Sequence, residues 1–168
     1  MRVLGITGGS GNGKTTLIVA LLPALRAAGL SVSTIKHAHH GFDIDRPGKD
    51  SFRHREAGAS EVLVATAERW ALLHENDGAE PSLTALLARL APVDLVLVEG
   101  YKREACAKLE VHRPAVGKPA QWPDDPSILA VASDVGLPHC DRTVLPLGQP
   151  AAVAAWLLAV LQTLPVVG

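Results

Sequence analysis

"RVLGITGGSGNGKTTLIVALLPALRAAG", residues 2–29, reads as a strand, a glycine loop and a helix in succession. RVLGIT is a short apolar run that ends in a glycine cluster, the pattern of a buried strand entering a tight turn. From Lys14 to Ala28 the leucines Leu17, Leu21 and Leu25 recur every four residues on one helical face. Gly29 then stands where a helix end favours a residue tolerant of left-handed geometry. Pro23 falls inside this helix and predicts a kink and one lost backbone hydrogen bond.

Between strand and helix, Gly8, Gly13, Lys14 and Thr15 fall in the spacing G-x-x-x-x-G-K-[ST], a phosphate-binding loop in the context its mechanism requires. Glycines reach backbone conformations closed to other residues, so consecutive N–H groups can turn inward on an anion. Lys14 adds a positive charge for the outer phosphates. The helix N-terminus adds a positive field, and the Thr15 hydroxyl suits the Mg2+ that accompanies a nucleoside triphosphate. Gly8, Gly9, Ser10, Gly11, Asn12, Gly13, Lys14, Thr15 and Thr16 are the expected nucleotide-binding residues. A dinucleotide site of the Rossmann kind fits less well, because Lys14 and Thr15 belong to triphosphate chemistry.

Further along the chain, LSVSTIK (30–36) reads as a second strand and SFRHREAGA (51–59) as a short helix stopped at Gly58. EVLVAT and RWALLHE read as two more strands, and PSLTALLARLA (81–91) as a helix with Leu83, Leu86, Leu87 and Leu90 on one face. DLVLVEG (94–100) is a nearly continuous apolar run, as in a parallel strand buried on both faces. KLEVHR and SILAVAS are further strands, separated by a polar, proline-bearing stretch from Pro114 to Pro126 that is expected to be the most mobile segment. A last helix spans about Pro150 to Leu164, with Val153, Trp156, Leu157, Val160, Leu161 and Leu164 on its apolar face. Strands alternating with helices predict an α/β fold of the P-loop NTPase kind: a mostly parallel sheet with helices on both faces, in a single domain over residues 1–168. Ligands of such sheets bind beyond the carboxyl ends of the strands.

Composition sets the outer limits. A chain of 168 residues that is 48% apolar suffices for one continuous core. Its formal charge of -1 gives no global field for nucleic acid or acidic membrane, and its few aromatics are not interleaved with basic residues. Cys106 and Cys140 lack the spacing of a disulfide framework or a structural zinc site. With no signal peptide and no membrane span in prospect, a soluble cytoplasmic protein is expected.

The site has a second wall to find. Glu99, at the end of DLVLVEG, is placed to hold magnesium or to polarise a water near the terminal phosphate, and it is the candidate catalytic carboxylate. Asp94, at the start of the same run, belongs to the far end of the sheet. Lys102 and Arg103, just beyond Glu99, are placed to contact phosphates, with simple solvent exposure as the alternative. IKHAHHGFDIDRPGKDS (35–51) leads from the second strand into the same crevice, and it admits several readings. His37, His39 and His40 offer metal ligands, yet adjacent loop residues alone rarely fix a coordination geometry. Asp43 and Asp45, two apart, would project together from an extended strand toward a hydrated magnesium. Lys49, Arg53 and Arg55 supply anion contacts, to the phosphates or to a second ligand; Lys36, His37, His39, His40, Lys49, Asp50 and Lys102 suit a second ligand or a partner surface, and a merely solvated polar loop is the bland alternative.

KHAHHGFDIDRPGKDSFRHREAGA, the loop GGSGNGKTT, RWALL, DLVLVEGYK and ILAVASD together, from about Val3 to Asp134, resemble the molybdopterin-guanine dinucleotide biosynthesis protein B family. The resemblance implies a homodimeric GTP-binding adaptor with at most weak GTPase activity. It would serve the molybdopterin guanylyltransferase that joins GMP to molybdopterin. It also implies that Asp43, Asp45 and Glu99 lie near magnesium. The KHAHH and PGKDS positions would line a shared crevice of the dimer, where molybdopterin, a derivative of it, or the partner could sit. The chain lacks the N-K-x-D signature of many GTPases. Asp134, ending ILAVASD, offers instead a carboxylate to the N1–H and 2-amino group of guanine, or else it caps the turn before Gly136. A small-molecule kinase would need a lid carrying arginines, and Pro114 to Pro126 contains none. A metal-delivery GTPase would be expected to carry a cysteine motif, which Cys106 and Cys140 do not form.

Overall fold

The computed structural model describes residues 1–38, 45–101, 104 and 106–167. The chain divides into two compact units, Met1–His37 with Leu83–Gly168, and Ala38–Ser82.

In the first unit the described strands are β1 (Arg2–Thr7), β2 (Val32–Lys36), β5 (Leu95–Glu99), β6 (Lys108–His112), β7 (Ile128–Ser133) and β8 (Thr143–Pro146). They form one sheet in the order β2-β5-β1-β6-β7-β8, and every adjacent pair is parallel. The two faces follow from the period of the strands. Leu95 and Leu97 join Leu4 and Ile6 in a core with Leu17, Leu21 and Leu25 of α1 (Lys14–Ala27) and Val153 and Leu157 of α4 (Pro150–Val160). Val96 and Val98 join Val3, Ile35 and the two leucines Leu83 and Leu87 that begin and end α3 (Leu83–Leu87) on the other side. The doubly buried strand that the apolar run predicts is therefore β5, between β1 and β2.

Several expectations change in detail. α1 runs through Pro23 to Ala27, and its buried face includes Leu17, Leu21 and Leu25 as the spacing requires. α3 is only five residues long, since Arg89 N–H and Leu90 N–H bond three residues back, to Leu86 and Leu87, and tighten the chain out of the helix. α4 gives way to a 3-10 turn at Leu161–Thr163, which still buries Leu161 and leaves Leu164 1% exposed. β8 has no counterpart in the sequence reading. It is a four-residue edge strand ending in Pro146, a position where a missing N–H does no harm.

The segment from Pro114 to Pro126, expected to be mobile, is tied to the sheet. It opens with a 3-10 turn at Pro114–Val116. The Gln121 and Trp122 N–H groups donate to the Glu110 carboxylate at 2.9–3.1 Å, and the Lys108 ammonium meets Asp125 at 2.9 Å. Buried strand-side charges hold a stretch whose own composition suggests a loop.

The second unit contains α2 (Asp50–Glu56) and an antiparallel hairpin of β3 (Glu61–Ala65) and β4 (Trp70–His74). Gly58 ends α2 with φ +98° and an N–H bonded to Arg55 O, as the sequence predicts. Among the described residues no helix is long and apolar enough to cross a membrane.

Candidate functional site: a phosphate loop and its flanking strands

The loop between β1 and α1 is shaped by contacts that leave no room for side chains. Gly8 has φ +130°, and a Cβ there would lie 2.2 Å from the Val111 carbonyl oxygen of β6. Asn12 is fully buried and donates from Nδ2 to that same oxygen at 3.0 Å, so β6 serves as the template for the loop. Gly13 takes the helix N-cap with φ +96°. Lys14 Nζ donates to Gly8 O and Gly9 O, both at 3.0 Å, which folds the ammonium back over the loop. Ser10, Gly11, Gly13, Lys14, Thr15, Thr16 and Glu99 line a cleft of about 360 Å³.

Glu99 reaches this cleft because β5 pairs with β1 in a register that puts it beside Ile6. The Thr15 hydroxyl lies 2.8 Å from Glu99 Oε1 and 3.0 Å from Oε2. The separation is that of a hydrogen bond from the Thr15 hydroxyl to the Glu99 carboxylate, and it is the donor chemistry of the pair, two hard oxygens, that suits a divalent cation. Lys36, beside Glu99 in register on β2, lies 3.8 Å from the same carboxylate. His37 N–H donates to Glu99 O at 2.8 Å, and its ring centroid lies 4.8 Å from that of Tyr101. Gly100 permits this approach: at φ +101°, a Cβ would lie 2.6 Å from His37 Cβ. Asp94, at the opposite end of β5, accepts from Ser31 N–H and Oγ–H at 2.8 and 2.6 Å; those bonds hold its carboxyl below the usual range.

The remaining candidates are distributed differently. Asp45 is not on an extended strand but at a bend in the second unit. It accepts from Ser51 Oγ–H at 2.7 Å and faces Arg55 Nε at 3.4 Å, so its local partners are those of the α2 entrance. Lys49 is the N-cap residue of α2 and Asp50 its first residue, both exposed. Asp43, His39, His40, Lys102 and Arg103 lie outside the described residues.

Two groups next to the loop escape the sequence reading. Glu110 of β6 is fully buried. Burial pushes its carboxyl up, while the Gln121 and Trp122 N–H groups and nearby His112 pull it back. Thr7 Oγ–H in turn donates to Gln121 Oε1 at 2.6 Å, and Lys118 packs over Gly9, where a Cβ would approach its side chain to 2.7 Å. The one available signal is an acidic residue in the middle of an otherwise core-facing strand. The second group is Arg113, just after β6, whose Nε lies 3.8 Å from Asp134 Oδ2 just after β7. The turn after β7 takes its side-chain acceptor from Ser133, whose Oγ receives Val135 N–H at 3.3 Å.

Comparison with known proteins finds relatives over most of the chain. The family profile described as Molybdopterin guanine dinucleotide synthesis protein B matches residues 3–134. A molybdopterin-guanine dinucleotide biosynthesis adapter protein of Escherichia coli (strain K12) is 45% identical over 139 residues, covering 80% of this chain and 79% of that protein. The protein of the same description from Haemophilus influenzae is 44% identical over 155 residues, covering 90% and 85%. Among solved structures, a molybdopterin-guanine biosynthesis protein B superposes with TM-score 0.77 at 27% identity over 95% of this chain and 99% of that one. A MobB homolog from Bacillus stearothermophilus gives 0.70 at 26% identity over 97% and 99%.

Proposed function

This chain belongs to the molybdopterin guanine dinucleotide synthesis protein B family, and on that footing we propose that it is a GTP-binding adaptor in molybdopterin guanine dinucleotide biosynthesis. The observation that carries the reading is the meeting of Lys14, Thr15 and Glu99 at one cleft. The inward-turned loop N–H groups and the Lys14 ammonium bind the phosphates. Thr15 and Glu99 would together hold Mg2+, whose chemistry there would be to neutralise phosphate charge and polarise the terminal phosphoryl group. Glu99, next to that group, also orients a water, which is consistent with weak GTPase activity. Asp134, at the carboxyl end of β7, accepts hydrogen bonds from the guanine edge.

The adaptor role names the partner class: a guanylyltransferase that joins GMP to molybdopterin, with molybdopterin or a derivative shared between them. Lys36 and His37 present the polar wall for that ligand. The homodimer has its support in the hairpin, where Leu63 and Trp70 are 60% and 66% exposed and share a face with Leu72, an apolar surface suited to a second copy of the chain. Calorimetric titration with GTP and with ATP, each with and without magnesium, tests the reading. Magnesium-dependent binding that favours GTP is the expected result, and no binding of either nucleotide would overturn it.

A further inference from the structure

We propose that Arg113 is the base platform of the nucleotide site, its guanidinium face stacking on the purine while Asp134 reads the base edge. This rests on the nucleotide-binding reading above and assigns the part of the ligand that the phosphate loop does not hold.

Arg113 and Asp134 directly follow His112 and Ser133, which are paired in register on adjacent strands, so both emerge at the end of the sheet where the phosphate loop follows β1. In the order β5-β1-β6, Glu99 and Arg113 lie on opposite flanks of β1. With neighbouring strands about 4.8 Å apart, those flanks are separated by about 10 Å. A ligand whose outer phosphates and magnesium sit on the Glu99 side therefore directs its other end toward Arg113.

A Cβ built on Gly13 would lie 3.7 Å from Arg113 Nη2, 3.8 Å from Cζ and 3.9 Å from Nε. Near-equal distances to three atoms of one plane mean that the Cβ direction of Gly13 points onto a face of the guanidinium and not at its edge. No side chain on Gly13 occupies that direction, and 42% of the Arg113 side chain is exposed. A planar, delocalised cation with an unobstructed face is a surface on which a base can stack.

At 3.8 Å, Arg113 Nε and Asp134 Oδ2 form an ion pair that is too long for a hydrogen bond. Nε is sealed from solvent with no hydrogen-bond partner among the described residues. The pair sets the Asp134 carboxylate beside the guanidinium without using up its acceptor capacity. Since Ser133 supplies the turn, Asp134 is left to receive donors from a ligand, and guanine presents an adjacent pair where adenine does not.

The test compares GTP, ATP and inorganic tripolyphosphate, all with magnesium, binding to the wild type and to Arg113→Ala, Arg113→Lys and Asp134→Asn. Thermal unfolding confirms that each variant folds. Arg113→Ala should lose affinity for GTP and ATP by roughly ten-fold while tripolyphosphate changes less than about two-fold. Arg113→Lys, which keeps the charge and removes the flat face, should resemble the alanine variant. Asp134→Asn should weaken GTP by about ten-fold and ATP by much less. If GTP and tripolyphosphate weaken together in Arg113→Ala and recover in Arg113→Lys, Arg113 is a phosphate ligand and the platform is overturned. Unchanged GTP affinity in Arg113→Ala overturns it as well. A wild type that binds GTP no tighter than tripolyphosphate overturns the base site and leaves the phosphate loop standing, whereas one that binds neither overturns both.

Discussion

The Thr15 hydroxyl and the Glu99 carboxylate, 84 residues apart in sequence, meet at 2.8 and 3.0 Å across the β1–β5 seam. They make a pair of hard oxygens beside the Lys14 ammonium. Replacing Glu99 by Gln keeps the size and a hydrogen-bond acceptor but removes the charge that a divalent cation needs. Magnesium should then enhance GTP binding by about 10- to 100-fold less than in the wild type, while magnesium-free binding is little changed. Titrations at several magnesium concentrations check this, and an unaltered magnesium response would remove Glu99 from the metal site.

Gly8 and Gly29 both have positive φ, but only Gly8 is hemmed in, with Val111 O 2.2 Å from where a Cβ would stand. Gly29→Ala, with nothing within 4 Å of its Cβ, should cost only the left-handed backbone penalty of about 1–2 kcal/mol. Gly8→Ala must also push β6 away and should cost more than about 3 kcal/mol, if it folds at all. Urea denaturation of the two variants compares them, and equal costs would contradict the close approach of β6.

Glu110 is a buried carboxylate whose folded-state affinity for protons is raised, mainly by burial. The native state then holds its proton at pH values where the unfolded chain has lost it. This contribution is fully present below the unfolded carboxyl range and is lost as pH rises through the folded value. Glu110→Gln should flatten that part of the stability profile, and denaturation midpoints from about pH 4 to pH 7 would reveal it. A profile identical to the wild type would mean that Glu110 does not titrate as its burial requires.

Trp70 and Leu63 lie on one face of the hairpin and are mostly exposed. If that face pairs two copies, Trp70→Glu should shift the protein toward monomer, since an unpaired charge in an apolar interface costs several kcal/mol. Sedimentation equilibrium of both proteins reads the change directly. A wild-type monomer, or an undisturbed dimer in the variant, would contradict the hairpin's role.

Much of the fold and site is legible in the sequence because the chemistry is local. GGSGNGKTT carries its own geometry in its residue types, and DLVLVEG announces both a doubly buried strand and a carboxylate at its end. What escapes depends on sheet order. Arg113, Glu110 and Gln121 become neighbours of the loop only because β6 is inserted beside β1, and no periodicity in KLEVHR reports that. The contacts that tie Pro114 to Pro126 to the sheet escape for the same reason, since the groups that make them, Glu110 and Lys108, lie on a strand. The two-residue spacing of Asp43 and Asp45 presumes an extended strand, whereas a bend turns the Asp45 carboxylate to Ser51 and Arg55. β8 is invisible in the sequence because only Leu145 of its four residues is buried.

Binding of a guanine nucleoside triphosphate by Lys14 and its loop is tested most directly by the GTP affinity of Lys14→Ala in the presence of magnesium, measured by calorimetry alongside a thermal unfolding scan. A cooperative unfolding transition close to the wild type and a loss of GTP affinity of roughly 100-fold or more are expected from this role. A folded Lys14→Ala protein that binds GTP as tightly as the wild type would contradict it.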